Sequence, residues 1–254
     1  MGRALLALDQ TDSSVPRRFF LQPHVFLCPG KRHWVILDVN RDKYLCVDRR
    51  QFELLGPSLE GWEEPAGPGG CPAAAASENA SALANDLLSL GILSEQASPT
   101  KDALRITYPL PIEAIDPDLP TLPRRSSWIH AAPFFASSAR ASRELRRQSF
   151  QLTVESVRAR KSRNLGHAGP FGFERARSLV SVFDRLRLFY PRSYLCLFDS
   201  LALIHFLARF HVFPDWVFGV SADPFEAHCW VQAGSVVLND TVERVSRFTP
   251  IMYV

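Results

Sequence analysis

The sequence predicts an α+β fold built from two unequal parts. Near the N-terminus, three short strand-like segments separated by tight turns are followed by helical patterns. From Trp128 onward, long helical runs precede three alternating segments that are typical of strands. Helices followed by a small antiparallel sheet are typical of an α+β domain, so we expect one in the C-terminal part.

Length and composition favour a globular protein. The chain has 254 residues, 46% hydrophobic and 22% charged, which allows one large domain or two small ones. No apolar run approaches the roughly 20 residues that span a bilayer, so we expect no membrane association. The first residues lack a secretory signal, and the cysteines have no framework spacing, which predicts a cytoplasmic location. The five cysteines are Cys28, Cys46, Cys71, Cys196 and Cys229.

Residues 1–95 are predicted to form a small α/β module. Strands are expected at 24–28, 33–39 and 43–48, and the turns PGK and NRD between them suit an antiparallel meander. A helix with an apolar stripe follows, in which Leu83, Leu87 and Leu90 share one face and Gly91 ends the helix. Residues 96–126 carry repeated prolines and are predicted to be a linker to a second domain at 127–254.

Helices dominate the first half of the second domain. One amphipathic helix is expected within ASSARASRELRRQSFQLTVESVRAR and another within FERARSLVSVFDRLRLFY. The run from about Leu195 to Phe210 is apolar nearly all round, which predicts a central buried helix. The segments DWVFGVS, HCWVQA and SVVLND then alternate as strands, with Gly234 in a hairpin turn.

Three residues of this domain form a candidate catalytic set. Cys196 begins the central helix, where the positive end of the helix dipole lowers a thiol pKa. His228 would act as base and then acid, and Asp240 would fix the imidazole tautomer. His228 and Asp240 flank the Gly234 turn, so pairing of their strands would bring them together.

Residues near the candidate set have structural or supporting roles of their own to consider. A lone cysteine in an apolar helix is most often an inert buried residue. Strand alternation turns Cys229 toward the opposite sheet face from His228, so we expect Cys229 in the core. The backbone N–H of Cys196 is the natural first oxyanion donor, with Tyr194 or Gln232 as candidates for a second. Asp223 is a competing carboxylate, and no metal site or cofactor is predicted.

The residues from Phe173 to Val254 resemble the C-terminal domain of the B proteins of lasso-peptide biosynthesis. The similarity rests on the stretches YPRSYLCLFDSLALIHFL and FGVSADPFEAHCWVQAGSVVLND. The resemblance implies a papain- or transglutaminase-like cysteine protease that removes the leader of a ribosomally made precursor peptide. It assigns Cys196, His228 and Asp240 as nucleophile, base and orienting acid. The N-terminal module is similar, by pattern alone, to the small winged-helix leader-recognition element of peptide-modifying enzymes, which implies a winged-helix-like fold for residues 1–95.

The resemblance also implies partners and a mode of binding. The leader would add as a strand beside the third strand and pack against the helix at 79–90. The predicted leader-binding residues are Tyr44, Leu45, Cys46, Leu83 and Leu87. A separate ATP-dependent macrolactam synthetase would close the ring of the freed core peptide, since this chain has no Gly-rich phosphate loop.

Two alternatives stay open. The same triad could serve an acyltransferase or deamidase that passes the thioester to an amine. The chain could also be a non-catalytic peptide-binding scaffold. The stretch from Arg124 to Arg192 holds fifteen Arg or Lys residues, but it lacks interleaved aromatic residues, so no nucleic-acid partner is predicted.

Overall fold

The computed structural model describes residues 17–62, 73–97, 106–115, 129–165, 172–191 and 193–254. The N-terminal elements are β1 (Phe20–Leu21), β2 (Val25–Pro29), β3 (His33–Asp38), β4 (Lys43–Asp48), α1 (Arg49–Leu55), α2 (Ala73–Ser89) and β5 (Leu93–Ser94). The C-terminal elements are β6 (Glu113–Ala114), α3 (Ala131–Arg147), α4 (Phe150–Leu165), α5 (Phe173–Arg187), α6 (Cys196–Ala208), β7 (Asp215–Ala222), β8 (Phe225–Ala233), β9 (Val236–Val237), α7 (Val242–Val245) and β10 (Thr249–Tyr253).

The N-terminal part contains a three-stranded antiparallel sheet in the order β2-β3-β4. Strand β3 lies in the centre and is almost fully buried, whereas β4 is an edge strand with several exposed residues. Asp48 ends β4 and caps α1, because its carboxylate accepts the N–H of Arg50 at 2.9 Å. The expected three-stranded meander is therefore confirmed, while its likeness to a winged helix stays a prediction.

The two faces of this sheet contact different cores. One face contributes Val25, Leu27, Trp34 and Ile36 to a cluster with apolar side chains of α1 and α2. The opposite face contributes a second set of apolar side chains to the core of the C-terminal part, namely Cys28, Val35 and Leu37. Strand alternation produces this division, so the small sheet rests directly on the larger part of the molecule.

Helix α2 follows the predicted stripe for most of its length. Leu87 is buried and Leu83 is partly buried in the N-terminal cluster. Leu90 was also expected on the stripe, but it is 40% exposed because the helix ends at Ser89. Gly91 then adopts a φ of 62°, a left-handed conformation that glycine reaches without steric cost.

The C-terminal part contains a five-stranded sheet in the order β10-β7-β8-β9-β6. Strands β7 and β8 form its long central hairpin, with Gly219 opposite His228. Strand β6 pairs in parallel with β9 and comes from within the predicted linker. The N–H of Ile112 donates to the carbonyl of Ser235 at 2.9 Å, so this described piece of the linker is hydrogen-bonded to the sheet.

The remainder of the predicted linker, at 98–105 and 116–126, lies outside the described residues. The domain boundaries at 95 and 126 therefore stay a prediction.

Helix α6 is the central helix of the C-terminal part, as expected from its apolar composition. Its side chains are buried between the sheet and the other helices, with Leu201, Leu203 and Phe206 fully inaccessible to solvent. The single helix expected across residues 136–160 is instead split into α3 and α4. Ser149 separates them, and its hydroxyl accepts the N–H of Leu152 at 3.3 Å at the start of α4. No helix in the described ranges is long and apolar enough to cross a membrane.

Candidate active site

Cys196 is the first residue of α6, the position predicted from the sequence. Leu195 before it is extended, and its N–H donates to the Asp199 carboxylate at 2.7 Å. This contact fixes the first turn of the helix around the thiol. Cys196 is exposed, so a substrate can reach its sulfur atom. A helix N-terminus also stabilises a thiolate, because its free N–H groups carry partial positive charge.

Arg187 organises the chain that leads to Cys196. Its side chain is buried at the end of α5 and forms an ion pair with Asp199. The guanidinium also donates to the carbonyl of Ser193 at 3.1 Å and lies 4.4 Å from the ring centre of Tyr194. Arg187 thus holds both the loop before the nucleophile and the carboxylate that caps the helix. Sequence reasoning missed it, because a buried arginine in an amphipathic helix carries no motif.

His228 lies on β8 and is almost completely buried. Its ring stacks on Trp230, with the ring centres 6.0 Å apart, and lies 5.1 Å from the ring of Phe248. Gly219 is directly opposite, and a Cβ atom there would approach Trp230 to 2.8 Å and Phe248 to 2.9 Å. The glycine therefore makes room for the aromatic side chains that hold the imidazole.

Asp240 lies beside His228, as the hairpin argument predicts. Strands β8 and β9 pair with Gln232 opposite Val237, which folds the chain back toward His228. The Nε2 atom of His228 is 2.6 Å from Oδ2 of Asp240. The N–H of Thr241 donates to the other carboxylate oxygen at 2.8 Å. Because Nε2 is engaged with Asp240, Nδ1 is the ring nitrogen left for Cys196.

The three side chains influence one another's ionisation. Hydrogen bonds from the Cys229 thiol and from His228 lower the pKa of Cys196 to about 4. Burial would lower the pKa of His228, but the hydrogen bonds to Asp240 and Cys196 raise it to about 9. Burial would likewise raise the pKa of Asp240, yet the hydrogen bond from His228 lowers it. At neutral pH the set therefore exists as a thiolate, an imidazolium and a carboxylate.

Cys229 is a member of the buried core, as strand alternation predicts. Its sulfur lies 3.4 Å from Oγ of Ser200, and the Ser200 hydroxyl donates to the carbonyl of Cys196 at 2.5 Å. Cys229 is therefore linked to the first turn of α6 through Ser200.

Of the two candidates for the second oxyanion donor, Gln232 is excluded by its contacts, whereas Tyr194 stays a prediction. The Gln232 amide is fully buried and donates to the carbonyls of Pro109 at 2.9 Å and Gly234 at 2.7 Å. It therefore has no hydrogen left for a substrate, and this hypothesis is wrong. Tyr194 is 66% exposed and its ring is held against Arg187.

The predicted leader-binding residues fall on two faces of the N-terminal sheet. Leu45 of β4 and Leu83 of α2 are partly buried against the same apolar cluster. Leu87 is 2% exposed, so it belongs to the core of that cluster rather than to a surface that a leader could contact. Tyr44 and Cys46 alternate with Leu45 and face the other way, and Tyr44 packs against the C-terminal core.

Tyr44 connects β4 with the candidate active site. Its ring lies 5.5 Å from that of Phe225, which is on β8 three residues before His228. Burial raises the pKa of the Tyr44 phenol, and negative charge on Cys229, Asp42 and Cys196 raises it further. The phenol is thus within electrostatic range of the nucleophile.

A cavity of about 870 Å³ adjoins the triad. Its lining includes Asp240, Tyr194, Leu188 and Asp184. Burial, and then the charge of Asp199, raises the pKa of Asp184 to about 7. The cavity therefore combines apolar walls with a carboxyl group that exchanges its proton near neutral pH.

The competing carboxylate Asp223 lies in the β7–β8 turn, 3.8 Å from His33 of the N-terminal sheet rather than beside His228. In the described ranges, no group of three or more His, Cys, Asp or Glu side chains is arranged to hold a metal ion.

Comparison with known proteins identifies a family for the C-terminal part of the chain. Searches of curated proteins and of solved structures gave no match. Residues 136–253 match the family model described as the transglutaminase-like superfamily, in which catalysis usually depends on a cysteine. The matched range contains Cys196, His228 and Asp240. The chain therefore contains a transglutaminase-like superfamily domain at residues 136–253.

Proposed function

We propose that this protein is a cysteine peptidase that cuts the leader from a ribosomally made precursor peptide. The observation that carries the proposal is an exposed Cys196 at a helix N-terminus, whose pKa is lowered by His228, which itself lies 2.6 Å from Asp240. A thiolate paired with an imidazolium supplies both the nucleophile and the acid that peptide cleavage needs. A transglutaminase-like domain is consistent with a cysteine protease or with an acyltransferase-like role.

The proposed reaction has two steps. The Cys196 thiolate attacks the carbonyl carbon of the last leader residue, and His228 gives its proton to the departing amine of the core peptide. The leader is then held as a thioester on Cys196. His228 takes a proton from water, which attacks the thioester and releases the leader as a carboxylic acid. Asp240 keeps the imidazole oriented and stabilises its charged form.

Recognition is assigned to the free edge of β4. This strand ends the sheet, so its outward N–H and carbonyl groups can pair with an added strand. One face of the added strand would meet Leu45 and Leu83, which are partly buried at this edge. The other face would meet Tyr44 and Phe225, close to the nucleophile. A leader held here places its cleavage site near Cys196 at high effective concentration.

The finer assignment follows the resemblance to lasso-peptide B proteins. Under it, cleavage exposes the amine of the core peptide, which an ATP-dependent macrolactam synthetase then joins to a side-chain carboxyl group. The partners of this protein are therefore the precursor peptide and that synthetase.

The test is cleavage of the precursor encoded by a short reading frame beside the gene, followed by mass spectrometry. Wild-type protein is expected to release leader with a free carboxylate, and Cys196→Ala is expected to bind the leader without cutting it. Leu152→Ala, which shortens a side chain on α4 that is 53% exposed, serves as the control and is expected to keep cleavage. Normal cleavage by Cys196→Ala would overturn the proposal.

The products also separate the alternative functions. Leader joined to an amine through a new amide would identify an acyltransferase. Leader binding without a covalent product, together with a Cys196 no more reactive than free cysteine, would identify a peptide-binding scaffold.

A further inference from the structure

The cavity of about 870 Å³ beside the triad begins next to the reacting atoms. Tyr194, which precedes the nucleophile by two positions, and Asp240, which holds its base, both line this cavity. A peptide whose scissile bond lies at Cys196 therefore passes the cavity with the residues that flank the cut. The volume is within the range of pockets that hold small molecules, so one long side chain fits into it.

Much of the cavity wall is apolar and is held in place. The apolar side chains come from separate segments of the chain, namely Ile115, Leu188, Leu238 and Val242. Leu188 is 75% exposed, so a side chain bound against it would remove apolar surface from water. Arg187 fixes the loop that follows, because its guanidinium donates to the carbonyls of Tyr190 at 3.3 Å and Ser193 at 3.1 Å. This part of the wall is therefore formed before a substrate binds.

Carboxyl groups outnumber cationic groups in the described lining, which holds Asp184, Asp240 and Glu243 against Arg185. Asp240 is committed to His228, 2.6 Å away, so a ligand would meet Asp184 and Glu243. Burial, and then the charge of Asp199, raises the pKa of Asp184 to about 7. A cation placed beside this carboxyl group would favour its ionised form. The cavity thus offers an apolar wall together with a carboxylate that gains from a positive partner.

We propose that this cavity is a specificity pocket for a basic side chain, lysine or arginine, of a substrate residue next to the cut bond, and that Asp184 selects it. The methylene stem of such a side chain would lie along the apolar wall, and its charged end would reach Asp184. An acidic side chain would be repelled by the same carboxyl groups. The inference rests on the proposed function, because it names a residue that the cysteine peptidase prefers in its substrate.

The experiment measures kcat/KM for synthetic precursor peptides by mass spectrometry. The two residues on each side of the cut are replaced, one at a time, by lysine or by norleucine, which has the same four-carbon stem without the charge. At one of these positions the lysine peptide is expected to be cut at least about tenfold faster at pH 8, since a hydrogen bond between charged groups is worth that factor. In Asp184→Asn this ratio is expected to fall below about threefold, whereas Asp184→Glu keeps a preference for lysine. A ratio of two substrates does not depend on how much of a variant is folded.

The preference for lysine should also rise with pH. Between pH 6 and pH 8 the ionised fraction of Asp184 increases about tenfold, and the ratio is expected to follow it. Titration of the triad affects both peptides equally and cancels. The other ionisable groups of the described lining are Asp240, Glu243, Arg185 and Tyr194, while Asp199 lies on α6 and is paired with Arg187. Asp184→Asn leaves all of these in place, so a pH dependence that this variant loses belongs to Asp184.

A matched pair of variants tests the apolar wall. Leu188→Ser is expected to lower kcat/KM for the lysine and norleucine peptides alike by at least about threefold. Phe189→Ser is the control, because Phe189 is 67% exposed beside it but is not among the described lining residues. Equal cleavage of the lysine and norleucine peptides at every position would overturn the inference, as would a lysine preference that persists in Asp184→Asn or equal rates in Leu188→Ser and Phe189→Ser. Failure to cut even the unchanged precursor would overturn the proposed function instead.

Discussion

The Nε2 atom of His228 lies 2.6 Å from the Oδ2 atom of Asp240, although twelve positions separate the two residues in the chain. The β8–β9 hairpin brings them together, and the imidazole is held from the side by Trp230 and Phe248. Because Asp240 engages one ring nitrogen, the other is available to Cys196. This single contact therefore sets the tautomer, the orientation and the charge of the candidate base.

Removing the charge of Asp240 should greatly impair cleavage. Asp240→Asn is expected to lower kcat/KM by about 10³- to 10⁴-fold, because the imidazole loses the partner that orients it and stabilises its charged form. Steady-state cleavage of the precursor measures the effect. Asp223→Asn is the matched control, since Asp223 pairs with His33 away from the triad and its loss should leave kcat/KM nearly unchanged. Equal losses in both variants would contradict the assigned role of Asp240.

Activity should follow a broad bell-shaped pH profile. The thiolate of Cys196 is present above its pKa of about 4, and the imidazolium of His228 is present below its pKa of about 9. Acidification through pH 4 protonates the nucleophile, and alkalisation through pH 9 removes the proton that the leaving amine needs. The profile of kcat/KM reports these groups in the free enzyme. An acid limb near pH 8.5, the ordinary value for a thiol, would show that no ion pair forms.

A methyl group at Gly219 should displace the aromatic side chains that hold His228. Gly219→Ala places a Cβ atom 2.8 Å from Trp230 and 2.9 Å from Phe248, so the aromatic side chains beside His228 must shift. We expect a loss of about 1–3 kcal/mol in the free energy of unfolding, which corresponds to a fall in Tm of about 2–4 °C per kcal/mol for a chain of this size. Thermal unfolding and cleavage rate measure the two effects.

Gly172→Ala is the control for that substitution. The added Cβ at Gly172 meets nothing closer than 3.7 Å, at Arg175, and stability should change by less than about 0.5 kcal/mol. A larger loss in Gly172→Ala than in Gly219→Ala would contradict the crowding argument.

The partly buried leucines of β4 and α2, Leu45 and Leu83, should govern leader affinity. Leu83→Asp puts a charge among partly buried leucines, and we expect the Kd for a fluorescent leader peptide to rise at least about tenfold. Alkylation of Cys196 should be unaffected, since the triad lies in the other part of the molecule. Leu152→Asp is the control, because Leu152 is already 53% exposed on α4. An unchanged leader Kd in Leu83→Asp would show that Leu83 is not part of the binding site.

Tyr44 should affect delivery of the cleavage site more than binding of the leader. Tyr44→Ala removes the ring that packs on Phe225 between β4 and the nucleophile. Cleavage of the full precursor is expected to fall about tenfold, since misplacement of a scissile bond by a small distance is costly. The Kd of the isolated leader should change less than about threefold, as main-chain pairing to β4 is kept. Tyr44→Phe keeps the ring and is expected to cut at nearly the normal rate. A parallel loss of affinity and cleavage would assign Tyr44 to leader binding alone.

The helical and strand patterns of the sequence determined much of the secondary structure. Strands β2, β3 and β4 lie within a residue of their predicted bounds, because turn residues and alternating side chains are local signals. The start of α6 at Cys196 was equally predictable, since the apolar run begins there. The contact between His228 and Asp240 was predictable because the two residues flank a short hairpin turn, which brings them close together.

Tertiary structure decided the contacts that no local pattern encodes. The short strand β6 lies in a proline-rich stretch and forms by parallel pairing with distant β9. Buried Arg187 supports the nucleophile only through ion pairing with Asp199 and the loop at Ser193. The Cys229 sulfur lies 3.4 Å from the hydroxyl of Ser200 because α6 packs against β8, two elements that are distant in the chain. Periodicity in the chain specifies which face a side chain takes, whereas the neighbour on that face depends on how separate elements pack.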